Sequence, residues 1–271
     1  MNTQQRVDYT VSDSIANIAM QRAPVNAIDH PMIEAIHAAM RRADQDPQVR
    51  VLLLTSALEG MFCGGMDLKM VARGDALDLR NFVYKFYMET MDIVYRLTKP
   101  IIAVVNGPAR GAGMTLAINC DMTVAADDID LGYPEIDVGV IPAIHYAHLP
   151  RQISRNKAFE LLFCATPIAA HEAAQLGIIN YAVPRAALMD KALELARVLA
   201  TKSPTIMALG RTSFMRANDL DYRRNVENQI ETLCNVFSTD DGREGLNAFV
   251  EKRKPRWSGP WRARARTDGD G

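Results

Sequence analysis

The stretch from Lys99 to Val140 constrains this chain more than any other. It reads KPIIAVVNGPARGAGMTLAINCDMTVAADDIDLGYPEIDVGV. Ile101 to Val105 is an uninterrupted apolar run rich in β-branched residues, the pattern of a strand buried on both faces. Asn106-Gly107-Pro108 breaks it with turn chemistry. Gly111-Ala112-Gly113 then feeds an apolar segment, Met114 to Cys120, that can start a helix. Met122 to Ala126 reads as a second strand. The stretch closes on Tyr133-Pro134-Glu135, a single acidic residue set between a proline and Ile136. Two buried strands therefore flank a glycine-rich helix start, with a lone carboxylate just beyond. Free N–H groups at a helix start can receive developing negative charge. A carboxylate near them can move protons.

The rest of the chain is read around that centre. At 271 residues it is long enough for one large domain or two unequal ones. A net charge of −1 argues against nucleic acid as a partner of the whole protein. No apolar run is long enough to span a membrane. The N-terminal residues lack the apolar segment of a signal peptide. The cysteines, Cys63, Cys120, Cys164 and Cys234, lie too far apart in sequence for a zinc knuckle and suggest a reducing compartment. A cytoplasmic setting is the expectation.

Val7 to Met20, with Ser12-Asp13-Ser14 at its middle, predicts a β-hairpin. Arg22 to Asn26 reads as a loop. Asp29 can cap a helix with Pro31 in its first turn, and on that helix His37 is expected to be a core or boundary side chain. Val51 to Thr55 is another buried strand. Gly64-Gly65 follow a short apolar segment and suggest close backbone approach, or a plain turn. Met70 to Asp78 is polar enough to be mobile, and Leu79 to Leu97 is a long amphipathic helix. His145 and His148, three apart, can share a helical face as metal ligands, but no third ligand is suggested nearby, so no metal is expected.

Strands alternating with helices predict an α/β core with parallel pairing. Three units are expected: residues 1–202 as the core, 203–257 as a helical region starting at Ser203-Pro204, and 258–271 as a basic, disordered tail. Alternatively, one or two bases of that tail meet a phosphate. The helical region contains Thr205 to Ala217, then Leu220 to Phe237, then a helix opening at Asp241 with Ser238 and Asp241 as a capping box. It looks too thin to hold a core of its own, so the Leu220–Phe237 helix is expected to pack on a neighbouring subunit.

Several segments together resemble the crotonase family, also called the enoyl-CoA hydratase/isomerase family. Phe62 to Lys69 looks like its first signature. Lys99 to Gly107 looks like the strand before its second. Gly111-Ala112-Gly113-Met114-Thr115-Leu116-Ala117, followed by Cys120-Asp121, looks like the second signature itself. Tyr133-Pro134-Glu135, with Gly139 and Pro142, resembles the third. Asp241-Gly242-Arg243-Glu244-Gly245 through Arg253 resembles the C-terminal helix of the family. The resemblance runs over roughly residues 6 to 257.

The resemblance implies a spiral of ββα units with a helical C-terminal trimerisation region. It implies an acyl thioester of coenzyme A as substrate, and a homotrimer or dimer of trimers as the assembly. No cofactor is expected, because coenzyme A enters with the substrate. The N–H groups of Met66 and Ala112 would form an oxyanion hole for an enolate, a device that lowers a barrier by several kcal/mol. Gly64, Gly65, Met66, Asp67, Leu68 and Lys69, with Gly111, Thr115 and Pro134, would line the coenzyme A and substrate site. Glu135 would be the catalytic carboxylate.

The departures from the family pattern carry as much information. Hydratases of the family use two glutamates; here the second-signature position holds Thr115, which can hold a water but cannot act as a carboxylate base. Where the family commonly has glycines after the third signature, this chain has Ala143, Ile144, His145 and Tyr146. A single carboxylate suffices to move a proton between two carbons of an enolate, so double-bond isomerisation is the leading expectation. Hydration with Glu135 and a water on Thr115 is one alternative; a non-catalytic coenzyme A-binding relative is another. A dinucleotide-dependent oxidoreductase would need a third glycine where Leu116 stands.

Overall fold

The computed structural model describes residues 6–219 and 221–257; the basic tail expected at 258–271 and Leu220 lie outside them. The N-terminal hairpin forms as read. β1 (Val7–Ser12) pairs antiparallel with β2 (Ile15–Met20). Asp13 and Ser14 both take positive φ, 50° and 62°, the turn geometry that follows strand twist. Asp29 caps α1 (His30–Gln45) through its carboxylate and the Met32 N–H, with Pro31 in the first turn. On α1, His37 is buried and its Nε2 lies 2.8 Å from the Thr90 hydroxyl, a core position.

β3 (Val51–Ser56) joins β2 in parallel. The segment expected to be mobile is instead helical. Asp67 caps α2 (Leu68–Arg73) and Asp75 caps α3 (Ala76–Val83) in a reciprocal capping box with Asp78. Two N-terminal caps, each able to satisfy two orphan N–H groups, outweigh the polar composition. The single helix expected over Leu79–Leu97 runs as α3, a π-helical segment at Tyr84–Glu89, and α4 (Thr90–Arg96). The π segment turns Phe86, Tyr87 and Met88 into the core.

The spiral then winds through the central stretch. β4 (Ile101–Val105) lies parallel to β3, and β6 (Met122–Ala126) lies parallel to β4. Between them come β5 (Ala109–Arg110) and α5 (Ala112–Ile118). After β6, the chain forms β7 (Asp130–Gly132), a 3₁₀ turn at Pro134–Val138, α6 (Ala143–Gln152) and α7 (Arg155–Phe163). β8 (Ile168–Ala169), α8 (Ala170–Leu176), β9 (Tyr181–Val183) and α9 (Leu188–Ala200) complete it. The large sheet has the order β1-β2-β3-β4-β6-β9, and β5-β7-β8 form a second small sheet. Two successive turns, β4-β5-α5 and β6-β7-α6, thus each lay one strand in each sheet before the helix. Every residue of β4 is buried, as its unbroken apolar run requires.

α10 (Pro204–Asp219), α11 (Tyr222–Phe237) and α12 (Asp240–Val250) follow Ser203. α10 is tied to the spiral by a paired, mostly buried contact: Arg211 Nε and Nη2 donate to the two Asp121 oxygens at 2.9 Å each. Asp121 also accepts from the Ile101 N–H at the start of β4. The Asp121 of the second signature thus works as a fastener. α11 packs on α6 and α3 of its own chain, burying Val226, Ile230, Leu233 and Phe237. The apolar face expected to seek a neighbouring subunit is therefore already covered.

The cap of α12 is Thr239, whose hydroxyl accepts from the Gly242 N–H, not the Ser238–Asp241 pair. α12 approaches the 3₁₀ turn backbone to backbone. A Cβ placed on Gly245 would meet Gly139 Cα at 2.6 Å, and one on Gly242 would meet the Val236 carbonyl at 2.4 Å. The glycine spacing of the C-terminal motif lets this helix press on the turn that carries Glu135.

Candidate active site

Two loops meet along their backbones. The Arg110 N–H donates to the Cys63 carbonyl at 3.0 Å, and the Cys63 N–H to the Pro108 carbonyl at 3.2 Å. A Cβ on Gly113 would lie 2.5 Å from the Cys63 carbonyl oxygen, so only glycine permits this approach. Gly65 takes φ +106°, and a Cβ there would sit 3.2 Å from the Arg110 carbonyl and 3.9 Å from Ala112 N. The peptide leading into Met66 is thus brought beside the one leading into Ala112. Ala112 opens α5, so its N–H has no partner within the helix. Neither the Met66 nor the Ala112 N–H donates to a protein acceptor among the described residues.

The segment read as a plain loop at Arg22–Asn26 holds the first of these loops in place. The Gly64 N–H donates to the Val25 carbonyl at 2.8 Å, the Ile28 N–H to the Gly65 carbonyl at 2.8 Å and the Asp67 N–H to the Ile28 carbonyl at 2.9 Å. Asn26, fully buried at φ 51°, donates to the Phe62 carbonyl and the Ser56 hydroxyl. Arg22 donates to Asp67 at 2.6 Å. Burial pushes the Asp67 carboxyl up, but the Arg22 guanidinium and the N–H groups of Met70 and Lys69 outweigh it and hold it below its ordinary value. Asp67 is committed to capping α2 and to Arg22, Leu68 begins that helix, and Gly64 and Lys69 are exposed at the rim.

Glu135 arrives from the other side. Pro134 starts its 3₁₀ turn, and Gly139, at φ +80°, ends it. The carboxylate sits against Gly111, close enough that a Cβ on that residue would lie 2.9 Å from Glu135 Oε1. Gly111 itself has φ +47°, ψ −108°, a conformation open to glycine. Glu135 is 9% exposed, and its Oε2 has no hydrogen-bond partner among the described residues. Burial pushes its pKa up to about 7, opposed weakly by its own backbone N–H. Burial, with the Glu135 charge adding to it, also raises the phenols of Tyr87, Tyr133 and Tyr146, the last to about 12. A carboxylate with a value near neutrality, one free oxygen and aromatic neighbours is suited to take and return a proton.

Thr115 is buried on the first turn of α5, with its hydroxyl 3.4 Å from the Gly111 carbonyl and 3.2 Å from His145 Nε2. Sequence alone offers His145 as a metal-ligand candidate with His148 and as a departure from the family's glycines; the structure places it against Thr115. His148 turns the other way, with Nδ1 3.2 Å from the Tyr222 hydroxyl. The two histidines do not converge, and no group of three metal-ligating side chains occurs among the described residues.

This architecture, a spiral of paired strands and helices closed by C-terminal helices, is the crotonase fold. It superposes on carnitinyl-CoA hydratase from Mycobacterium avium with a TM-score of 0.82 at 28% identity, covering 94% of this chain and 99% of that one. The family profile described as enoyl-CoA hydratase/isomerase matches residues 10–260. Carnitinyl-CoA dehydratase from Proteus mirabilis is 32% identical over 260 residues, 94% of this chain and 99% of the relative. A protein from Xenopus laevis named enoyl-CoA hydratase domain-containing protein 3, mitochondrial, is 33% identical over 251 residues, 93% of this chain and 84% of its own length. The chain belongs to the enoyl-CoA hydratase/isomerase family, whose members act on acyl-CoA thioesters.

Proposed function

We propose that this protein is an acyl-CoA enzyme in which Glu135 alone moves the proton, and that its principal reaction is a shift of an enoyl double bond. The Met66 and Ala112 N–H groups hold the thioester oxygen as it becomes an enolate. Glu135 removes a proton from one carbon and returns it two carbons away. The observation that carries this reading is the buried Oε2 of Glu135, without a partner among the described residues, while the Thr115 hydroxyl is already engaged by the Gly111 carbonyl and His145. No bound cofactor takes part; coenzyme A enters as part of the substrate, along the Gly64–Lys69 loop.

A second reading, addition or removal of water across the double bond, is favoured by the names of the relatives, dehydratases and hydratases among them. It asks Thr115 to orient a water with a hydroxyl that has two neighbours already. Losing a positioned acid–base group costs about 10²–10⁴-fold. With matched 3-enoyl- and 2-enoyl-CoA esters, isomerisation of the first is expected to exceed hydration of the second by about that margin, read by chromatography of the products. Rapid hydration without any double-bond shift would replace the first reading with the second.

We also propose a homotrimer, or a dimer of such trimers. Because α11 is covered in cis, the support comes from α10, which leaves Ile206, Leu209 and Phe214 about two-thirds exposed. Sedimentation velocity at micromolar protein is expected to give three or six copies; a monomer would contradict this.

A further inference from the structure

The second-signature threonine and His145 converge on one atom, the Gly111 carbonyl oxygen. The Thr115 backbone N–H reaches it at 3.0 Å, the Thr115 hydroxyl at 3.4 Å and His145 Nε2 at 3.4 Å. A carbonyl only accepts, so these contacts require Nε2 to carry the imidazole proton. That proton is shared between the Gly111 carbonyl and the Thr115 oxygen, and the Thr115 hydroxyl then donates to the same carbonyl. Nδ1 is left as a buried acceptor without a partner among the described residues. The ring is fixed by the Tyr133 ring, edge-on at 4.6 Å. Burial keeps His145 neutral well into acid, with its value pushed down to about 3.

The Gly111 carbonyl and the Ala112 N–H belong to the same planar peptide unit. Whatever holds the carbonyl also aims the N–H, and donors on the carbonyl oxygen polarise that N–H and strengthen it as a donor. This peptide follows a residue at φ +47°, ψ −108°, so its orientation is set by contacts and not by a broad backbone minimum.

We propose that His145 is a positioning residue for this peptide: through Nε2, and through the Thr115 hydroxyl, it clamps the Gly111 carbonyl and so directs and strengthens the Ala112 N–H toward the thioester oxygen. The inference rests on Ala112 serving as an oxyanion donor. It assigns Thr115 a task other than holding water: its hydroxyl accepts from the His145 Nε2–H and donates its own proton to the carbonyl of the oxyanion peptide.

The test uses the intact protein and a saturated acyl-CoA labelled with carbon-13 at the thioester carbonyl, which binds without reacting. Isotope-edited infrared spectra report how strongly that carbonyl is polarised. In the unmodified protein its stretch is expected below its value in water. In His145→Leu at least about half of that displacement is lost and kcat falls about tenfold, with KM within about threefold, a smaller loss than the 10²–10³-fold of deleting a donor outright. His145→Gln, which carries an amide N–H of similar reach, recovers most of both. A folded Leu variant with the full displacement and full kcat would overturn the proposal, as would a Gln variant no better than Leu. Should the Leu variant not fold, Thr115→Val removes the hydroxyl; a reduced displacement is expected, and an undiminished one overturns the proposal. If the unmodified protein bound the ligand with no displacement, the oxyanion assignment would fall and the His145 proposal with it. A normal displacement insensitive to position 145 would sink only the latter.

Discussion

Glu135→Gln is expected to reduce turnover by at least about 10²–10⁴-fold while an acyl-CoA still binds. Glutamine keeps the shape of the side chain and removes the basic oxygen. Calorimetry with a saturated acyl-CoA should give the same affinity for both proteins within a few-fold. The same substitution should also make the fold more stable at neutral pH. Glu135 has its pKa raised from an ordinary 4.5 to about 7 in the folded chain, chiefly by burial. Below about pH 4.5 the residue is protonated folded or unfolded, and the position costs nothing electrostatically. Above about pH 7 it is ionised in both states, and the folded state bears the full cost, on the order of 3 kcal/mol from the size of the shift. Thermal unfolding should therefore show Glu135→Gln gaining most over the unmodified protein near pH 8 and little near pH 4. A variant with most of the original rate would mean that another group is the base.

Gly111→Ala is the second large effect. Its Cβ would occupy space 2.9 Å from Glu135 Oε1, and it would place a side chain on a residue at φ +47°. The strain costs about 1–3 kcal/mol. The carboxylate must move as well, and a misplacement of about 1 Å costs about 10²-fold in rate. A fall in kcat of that size, with a modest loss in thermal stability, is expected from steady-state kinetics and calorimetric melting. Wild-type kcat in a well-folded variant would show that the carboxylate is not held against this glycine during the reaction.

The residues of this site were legible to different depths. The strand at Ile101–Val105 and the helix start at Ala112 announced themselves through an unbroken apolar run and glycine punctuation, both local signals. Glu135 stood out as the one acid between Pro134 and Ile136. The π segment at Tyr84–Glu89 left no mark, because a shift in hydrogen-bond register does not change the apolar spacing that marks a helix face. Asn26 and Arg22 were invisible because their work is done on Phe62, Ser56 and Asp67, more than 25 residues away in sequence. His145 was noticed as a departure from the family pattern, but its contact with Gly111 exists only once α6 has folded over α5. The helix at Tyr222–Phe237 was found correctly, while its partner was not: amphipathicity states that a face will be buried, not against which chain.

The central claim is that Glu135 exchanges a proton with a carbon beside a thioester held by backbone N–H groups. Exchange of deuterium from heavy water into the acyl chain of a 3-enoyl-CoA measures that step directly, whichever product follows. Incorporation into substrate and product, followed by mass spectrometry, should rise with pH through about 7, as the raised pKa of Glu135 requires, and should be lost in Glu135→Gln. Exchange that is independent of pH across that range and undiminished in Glu135→Gln would contradict the account.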